Sequence, residues 1–160
     1  MSGGAASDGA TVWTPPSVIE ELFAKTAGNK FAAINAPTAG ARTETPLPDG
    51  PAPVQLYSLG TPNGHKVSIV LEELGIDYDA HTITINTGSQ FGSGFVNVNP
   101  NSKIPCCQDK DGPGGEPIML WESASIALYF ADKYKRFQFE GNPRARQEMM
   151  NWIFWQMGGQ

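Results

Sequence analysis

The sequence predicts an α/β fold between residues 53 and 137, and three short stretches carry that prediction. A strand pattern in V-Q-L-Y-S-L-G-T-P-N-G turns at Gly60 and Pro62 into a helical pattern. An isolated Ile104-Pro105 precedes a second group of strands, and Glu122-Ser123 opens another helix. Turn residues between these stretches divide the segment into its elements.

The first half of the segment is predicted as strand, helix, strand. Val54 to Leu59 forms the first strand, Asn63 fits the N-cap of the helix, and Gly75 ends that helix. Tyr78 to Ile85 alternates as a second strand, with Asp79, His81, Ile83 and Ile85 on one face. The helix carries apolar residues at helical spacing, namely Val67, Val70, Leu71 and Leu74.

The second half is predicted as loop, hairpin, helix. Thr87 to Asn99 is rich in Gly, Ser and Asn and predicts irregular loop with a short helix, anchored by Phe91 and Phe95. Two strands, Ile104 to Gln108 and Pro117 to Trp121, are joined by a turn at D-G-P-G-G. Ser123 or Ser125 then caps a helix that bears Ile126, Tyr129, Phe130 and Lys133. The order β-α-β-(α)-β-β-α is the thioredoxin-like arrangement.

Two further segments flank this domain. Residues 1–52 are predicted to be an N-terminal extension, with two helical turns at Val18 to Lys25 and a proline-rich, extended end. Residues 138–160 contain a helix that starts at Asn142-Pro143, with Asn as the cap, and stops at Gly158. This last helix is apolar nearly all round, so it needs cover from another chain or from a C-terminal domain that the chain has lost.

Composition excludes several classes of protein. The net charge of −5 argues against a nucleic-acid partner or an anionic membrane, and the apolar runs are too short to span a bilayer. The N-terminus has no signal-peptide pattern, so we expect a cytoplasmic protein. Adjacent Cys106 and Cys107 are poorly placed for a disulfide and are interpreted as reduced thiols, and the two histidines join no metal-ligand cluster.

Thr61-Pro62-Asn63 lies where a strand turns into a helix, and a helix N-terminus stabilises a thiolate. The Thr61 hydroxyl and the Asn63 amide can each donate a hydrogen bond to such a thiolate. The simpler alternative is that both residues only cap and turn the chain.

Two other pairs predict the rest of a ligand site. A cis bond at Ile104-Pro105 would turn the backbone N–H and C=O of Ile104 outward, ready to pair with an extended peptide. At the start of a helix, Ser123 and nearby N–H groups suit a carboxylate, and Glu122 suits an ammonium. Both charges occur together on the γ-glutamyl end of glutathione. The alternative is a capping serine beside a solvated glutamate.

Together these stretches resemble the nu-class glutathione transferases, the bacterial disulfide-bond oxidoreductases of the glutathione transferase superfamily. The matching stretches span roughly residues 31 to 157: F-A-A-I-N, L-Y-S-L-G-T-P-N-G, V-S-I-V-L-E-E-L, Q-F-G-S-G-F-V-N-V-N-P-N-S-K-I-P, E-S-A-S-I-A-L-Y-F-A and M-N-W-I-F-W. The resemblance implies a thioredoxin-like glutathione-binding domain followed by an all-α domain, in a homodimer. It also implies glutathione as cofactor and the reduction of small-molecule or peptide disulfides.

The resemblance further implies a set of site residues. Thr61 and Asn63 match the thiol-contacting, catalytic positions. The glutathione contacts match Asn35, Gln90, Ile104 with Pro105, Glu122 and Ser123. The chain departs from the family at Cys106-Cys107, where small or apolar residues are usual, and at Ala36, where arginine is expected. It also carries only the first helix of the all-α domain, so we expect a C-terminally truncated member.

Three functions follow from these observations. The first is glutathione-dependent disulfide reduction with a thiolate held by Thr61 and Asn63. The second is a non-catalytic interaction module of the glutathione fold, or an inactive truncated product, since the apolar helix Met149 to Met157 lacks cover. The third, a peroxidase or dithiol oxidoreductase that uses Cys106, is disfavoured because free cysteine is commonly buried and inert. Tyr57 is expected to pack rather than to act as a nucleophile.

Overall fold

The computed structural model describes residues 40–159. The predicted helix at Val18 to Lys25 and the predicted ligand Asn35 lie outside the described residues. The elements are β1 (Val54–Ser58), α1 (Pro62–Leu74), β2 (Tyr78–Thr82), α2 (Ser93–Val98), β3 (Cys106–Asp109), β4 (Ile118–Trp121), α3 (Ser123–Tyr134) and α4 (Pro143–Gly159). Short 3-10 turns at Ile85–Thr87, Ser89–Phe91 and Pro113–Gly115 fill the connections.

The four strands form one mixed sheet in the order β2-β1-β3-β4. β1 pairs in parallel with β2 and antiparallel with β3, and β3 pairs antiparallel with β4. A parallel pair needs a crossover, which α1 supplies, whereas the antiparallel β3 and β4 need only the short turn between them. The predicted α/β, thioredoxin-like arrangement is therefore confirmed.

Two strands depart from their predicted bounds by more than one residue. β2 ends at Thr82 rather than Ile85, because its partner β1 ends at Ser58, which lies opposite Thr82. β3 begins at Cys106 rather than Ile104, after a proline that has no N–H to donate to a sheet ladder. In each case the ladder stops where a hydrogen-bonding partner is lacking.

The sheet separates two apolar clusters. Cys107 and Leu56 lie in the cluster beneath α1 and α3, with Val54, Val67, Leu71, Ile76, Leu120, Ile126 and Phe130. Cys106 and Tyr57 lie in the cluster on the opposite face, with Ile83, Phe95 and Val98. Successive residues of a strand point to opposite faces, so the adjacent cysteines enter different clusters and both are fully buried.

The helix caps differ from the sequence prediction at two of three sites. Thr61, not Asn63, is the N-cap of α1, because Pro62 suits the first helical position and places the cap before it. Glu122, not Ser123 or Ser125, occupies the N-cap position of α3, with a positive φ of 68°. The predicted Asn142 cap of α4 is confirmed, since its Oδ1 accepts a hydrogen bond from Ala145 N at 3.1 Å.

A buried carboxylate ties α3 to the sheet. Asp109 at the end of β3 accepts hydrogen bonds from Tyr129 Oη at 2.6 Å and from Lys133 Nζ at 2.7 Å. The Asp109 side chain is fully buried, so these two donors compensate for its lost hydration. This network fixes α3, and with it the residues at the start of that helix.

The last helix leaves large apolar side chains in solvent. Trp152, Phe154 and Trp155 of α4 are 60%, 67% and 54% exposed. Within residues 40–159, no helix is long and apolar enough to cross a membrane.

Candidate functional site

A cavity of about 170 Å³ opens where the N-termini of α1 and α3 meet the loop before β3. Its walls come from four separate parts of the chain, which the sheet brings together. The lining residues are Asn63, Asn99, Lys103, Ile104, Pro105, Glu122, Ser123 and Met157.

The structure gathers most, but not all, of the predicted site residues. Asn63, Ile104, Pro105, Glu122 and Ser123 line the cavity together. Thr61 and Gln90 do not line it; the Gln90 side chain is buried, and its Oε1 has no hydrogen-bond partner in the described part of the chain.

The N-terminus of α1 presents donors through Asn63. Pro62 has no N–H, and the Gly64 N–H is already bonded to Thr61 Oγ1 at 3.2 Å. The first intrahelical bond runs from His65 N to Thr61 O at 2.9 Å. The backbone N–H of Asn63 is therefore the remaining donor of this helix end, and its side-chain amide has no partner among residues 40–159.

Thr61 has a structural task in addition to any role at a thiolate. Its hydroxyl oxygen accepts the Gly64 N–H, which leaves the hydroxyl hydrogen available to donate. The capping alternative raised by the sequence is thus observed for Thr61, and the donor role stays a prediction.

The predicted cis bond is present between Ile104 and Pro105. The structure shows no hydrogen bond from residues 40–159 to the backbone N–H or C=O of Ile104. Both groups can therefore pair with the backbone of a bound peptide, as an added strand does.

The N-terminus of α3 presents donors to the opposite wall. Its first intrahelical bond runs from Ile126 N to Glu122 O at 2.9 Å, so the N–H groups of Ser123, Ala124 and Ser125 precede the bonded part of the helix. Ser123 is 2% exposed and lies on the cavity wall. Together with the positive end of the helix dipole, these donors suit a carboxylate.

Glu122 adopts a backbone conformation that costs energy. Its φ of 68° lies in the left-handed region, which non-glycine residues enter at a cost of about 1–3 kcal/mol. Its side chain is exposed and forms no ion pair within the described residues. The strained backbone places a free carboxylate at the mouth of the cavity, where it can meet a cation.

Three lining residues were not assigned from the sequence, namely Asn99, Lys103 and Met157. Asn99 shapes the loop before Pro105: its Nδ2 donates to Lys103 O at 2.6 Å and its Oδ1 accepts from Asn101 N at 2.9 Å. The N-P-N-S-K-I-P stretch was noted, but only Ile104 and Pro105 were assigned from it. Met157 comes from α4, and only the tertiary fold brings it to the cavity.

Other nucleophiles are unsuited to chemistry. Burial raises the pKa of Tyr57 to about 12, and its hydroxyl donates to Pro48 O at 2.9 Å. Burial likewise raises the pKa of the Cys106 and Cys107 thiols, so neither forms a thiolate at neutral pH. The expectation of buried, free thiols is confirmed. Residues 40–159 contain no group of three or more potential metal ligands.

The site thus combines a cis-proline loop with two helix N-termini on a thioredoxin-like sheet. Residues 61–133 match the family described as Glutathione S-transferase, N-terminal domain. This segment of the chain therefore belongs to the glutathione transferase family.

Individual relatives agree with this assignment. The chain is 49% identical over 155 residues to the disulfide-bond oxidoreductase YghU of Escherichia coli, covering 93% of this chain and 50% of that protein. It resembles the structure of glutathione transferase YghU from Streptococcus pneumoniae in complex with glutathione, with a TM-score of 0.73 and 50% identity, covering 81% and 51% of the two chains. A Pseudomonas putida glutathione transferase with bound glutathione disulfide is 42% identical, with a TM-score of 0.65 and coverage of 70% and 48%. The chain spans about half the length of these relatives.

Proposed function

We propose that the cavity binds glutathione and that the protein uses it to reduce disulfides. The single observation that carries this proposal is the meeting of the two helix N-termini with the cis Ile104-Pro105 bond around one cavity. The bound glutathione and glutathione disulfide in the related structures support the same ligand.

The γ-glutamyl end of glutathione binds at α3. Its α-carboxylate accepts hydrogen bonds from Ser123 and the free N–H groups of the helix, and its α-ammonium pairs with Glu122. The cysteinyl backbone pairs with the N–H and C=O of Ile104. The roles predicted for Asn35 and Gln90 in binding stay part of this proposal.

The cysteinyl sulfur then lies at the N-terminus of α1. There the backbone N–H and side-chain amide of Asn63, with the hydroxyl hydrogen of Thr61, stabilise the thiolate. The protein supplies no sulfur of its own to the reaction, because both of its described thiols are buried and protonated. Glutathione therefore provides the nucleophile.

The reaction is thiol–disulfide exchange. The bound thiolate attacks one sulfur of a small-molecule or peptide disulfide, forms a mixed disulfide and releases the other sulfur as a thiolate that takes up a proton. A second glutathione attacks the mixed disulfide and releases the second thiol. Two glutathione molecules are oxidised to one glutathione disulfide, and the substrate disulfide is reduced by two electrons.

A direct assay tests this function in the purified 160-residue chain. Formation of glutathione disulfide is followed in the presence of reduced glutathione and a small-molecule disulfide, against the uncatalysed rate. We expect turnover that saturates with glutathione and that persists in a Cys106→Ser, Cys107→Ser double variant. A rate equal to the uncatalysed one in a folded, glutathione-binding chain would contradict the proposed reaction.

A second candidate function is a non-catalytic interaction module. The exposed Trp152, Phe154 and Trp155 of α4 favour it, because solvent-exposed apolar patches mark interaction surfaces. We propose that the protein is cytoplasmic and that a homodimer, which the resemblance implies, covers this face. Size-exclusion chromatography with light scattering separates a dimer from a soluble aggregate; a clean monomer would contradict the homodimer.

A further inference from the structure

A lysine beside the cavity has no role in the site described above. Lys66 lies on α1 one helical turn after Asn63, so both residues occupy the same side of that helix. It borders an apolar groove of about 460 Å³ between α1, α3 and α4. Ser123 and Met157 line both this groove and the cavity. Lys66 lies on the groove side of these two residues and is therefore close to the cavity.

The Lys66 ammonium is poorly matched with its present neighbours. Its Nζ donates to Gln156 Oε1 at 2.6 Å and contacts Met157 Sδ at 3.2 Å. Neither neighbour carries a charge, and in the described part of the chain no carboxylate forms an ion pair with Lys66. Burial lowers the pKa of Lys66, while the nearby Glu122 carboxylate opposes that shift. A partly buried ammonium without an ion-pair partner is stabilised strongly when an anion binds beside it.

Two hydrogen-bond donors, Ser123 and Lys66, contact the sulfur of Met157. Ser123 Oγ donates to Met157 Sδ at 3.6 Å, and Lys66 Nζ contacts the same atom at 3.2 Å. A thioether is a weak acceptor, whereas a carboxylate has two oxygens that accept strongly. Methionine is flexible enough to leave such a position.

We propose that Lys66 and Ser123 together bind the α-carboxylate of the γ-glutamyl group, which takes the place now held by the Met157 sulfur. This inference rests on the proposed binding of glutathione and adds a residue to it. Charges then alternate across the site: the Lys66 ammonium, the ligand carboxylate, the ligand ammonium and the Glu122 carboxylate. The arrangement selects a zwitterionic α-amino acid terminus over a singly charged one.

The test combines two substitutions with three ligands. Lys66→Met removes the charge and keeps most of the apolar stem, and Gln156→Met removes the helix-to-helix hydrogen bond but leaves the ammonium in place. Affinity is measured by calorimetry for glutathione, for 4-aminobutyryl-cysteinyl-glycine, which lacks the α-carboxylate, and for glutaryl-cysteinyl-glycine, which lacks the α-ammonium. Circular dichroism and thermal unfolding establish that each variant is folded.

The expected pattern is specific to the carboxylate. Lys66→Met weakens the binding of glutathione and of the glutaryl peptide by about 10- to 100-fold, the range for a hydrogen bond to a charged group. The 4-aminobutyryl peptide binds equally to Lys66→Met and to the unmodified chain, and Gln156→Met binds all three ligands as the unmodified chain does.

Other patterns overturn the inference. An equal loss for all three ligands in Lys66→Met means that Lys66 acts through the packing of α1 against α4. Unchanged glutathione affinity in Lys66→Met removes Lys66 from the site while leaving the proposed function intact. Failure of the unmodified chain to bind glutathione refutes the proposed function itself. This outcome is measured on the unmodified chain without any variant, so it is distinguishable from a failure of the Lys66 proposal. If Lys66→Met does not fold, Lys66→Gln replaces it, and equal affinity of the unmodified chain for glutathione and the 4-aminobutyryl peptide still refutes the proposal.

Discussion

Replacing Asn63 with alanine tests the thiolate site most sharply. The substitution removes the side-chain amide but keeps the backbone N–H, because α1 retains its Thr61 cap and Pro62 start. The lost interaction is a hydrogen bond to a charged sulfur, which contributes about 1.5–3 kcal/mol. At about 1.4 kcal/mol for each factor of ten, kcat/KM for disulfide reduction falls about 10- to 150-fold.

The same free energy appears in the acidity of the bound thiol. One pKa unit corresponds to about 1.4 kcal/mol, so Asn63→Ala raises the pKa of enzyme-bound glutathione by about 1–2 units. The ultraviolet absorbance of the thiolate, titrated against pH, measures this shift directly. Ser68→Ala is the matched control, since Ser68 lies on the same helix and its hydroxyl only donates to His65 O. An unchanged thiol pKa with an unchanged kcat/KM in Asn63→Ala would refute the role of the amide.

Three further predictions concern the strained residue, the buried ion pair and the thiols. Glu122→Gly relieves the positive φ and changes the free energy of unfolding by less than about 1 kcal/mol. The affinity for glutathione falls at least about tenfold, because the carboxylate is lost. Unchanged affinity would show that the Glu122 carboxylate does not bind glutathione. Lys133→Met leaves the Asp109 carboxylate buried without its cation and lowers the urea-derived free energy of unfolding by about 3 kcal/mol, and a loss below about 0.5 kcal/mol would contradict this. Burial would raise the pKa of Asp109, but the bonds from Lys133 and Tyr129 outweigh it and lower the pKa, so this stabilisation is present at neutral pH and is lost as the solution is acidified below about pH 4. Iodoacetamide labels Cys106 and Cys107 only at the rate of unfolding, and rapid labelling of the native chain would contradict their burial.

Local patterns predicted most of the fold because they arise from near neighbours in the chain. The helical spacing of Val67 and Leu71 and the stop at Gly75 depend only on residues within a few turns. The prediction of Asn63 as the N-cap of α1 was wrong. Thr61 and Asn63 are both good capping residues, and the proline between them decides which one is used.

The positive φ of Glu122 could not be predicted from the sequence. Glutamate has no preference for that conformation, and only the surrounding structure holds it there. Sequence patterns likewise indicated the α3 N-terminus as a helix start but not the geometry of its first residue.

The candidate site was predicted where a motif carries it and missed where the tertiary fold supplies it. Ile104-Pro105 and Glu122-Ser123 are short motifs with a mechanism, and the structure brings both to one cavity with Asn63. Met157 and Lys66 come together from distant parts of the chain, and no local pattern links an apolar helix to a lysine on α1. Long-range contacts of this kind become visible only in the folded structure.

The most direct test of the proposed glutathione site is a calorimetric titration of the 160-residue chain and its Ser123→Ala variant with reduced glutathione. We expect saturable binding to the unmodified chain and binding weaker by at least about tenfold in Ser123→Ala, because the carboxylate loses one of its donors at α3. Absence of binding in a chain that is folded by circular dichroism, or equal affinity in both proteins, would contradict the assignment of this cavity as the glutathione site.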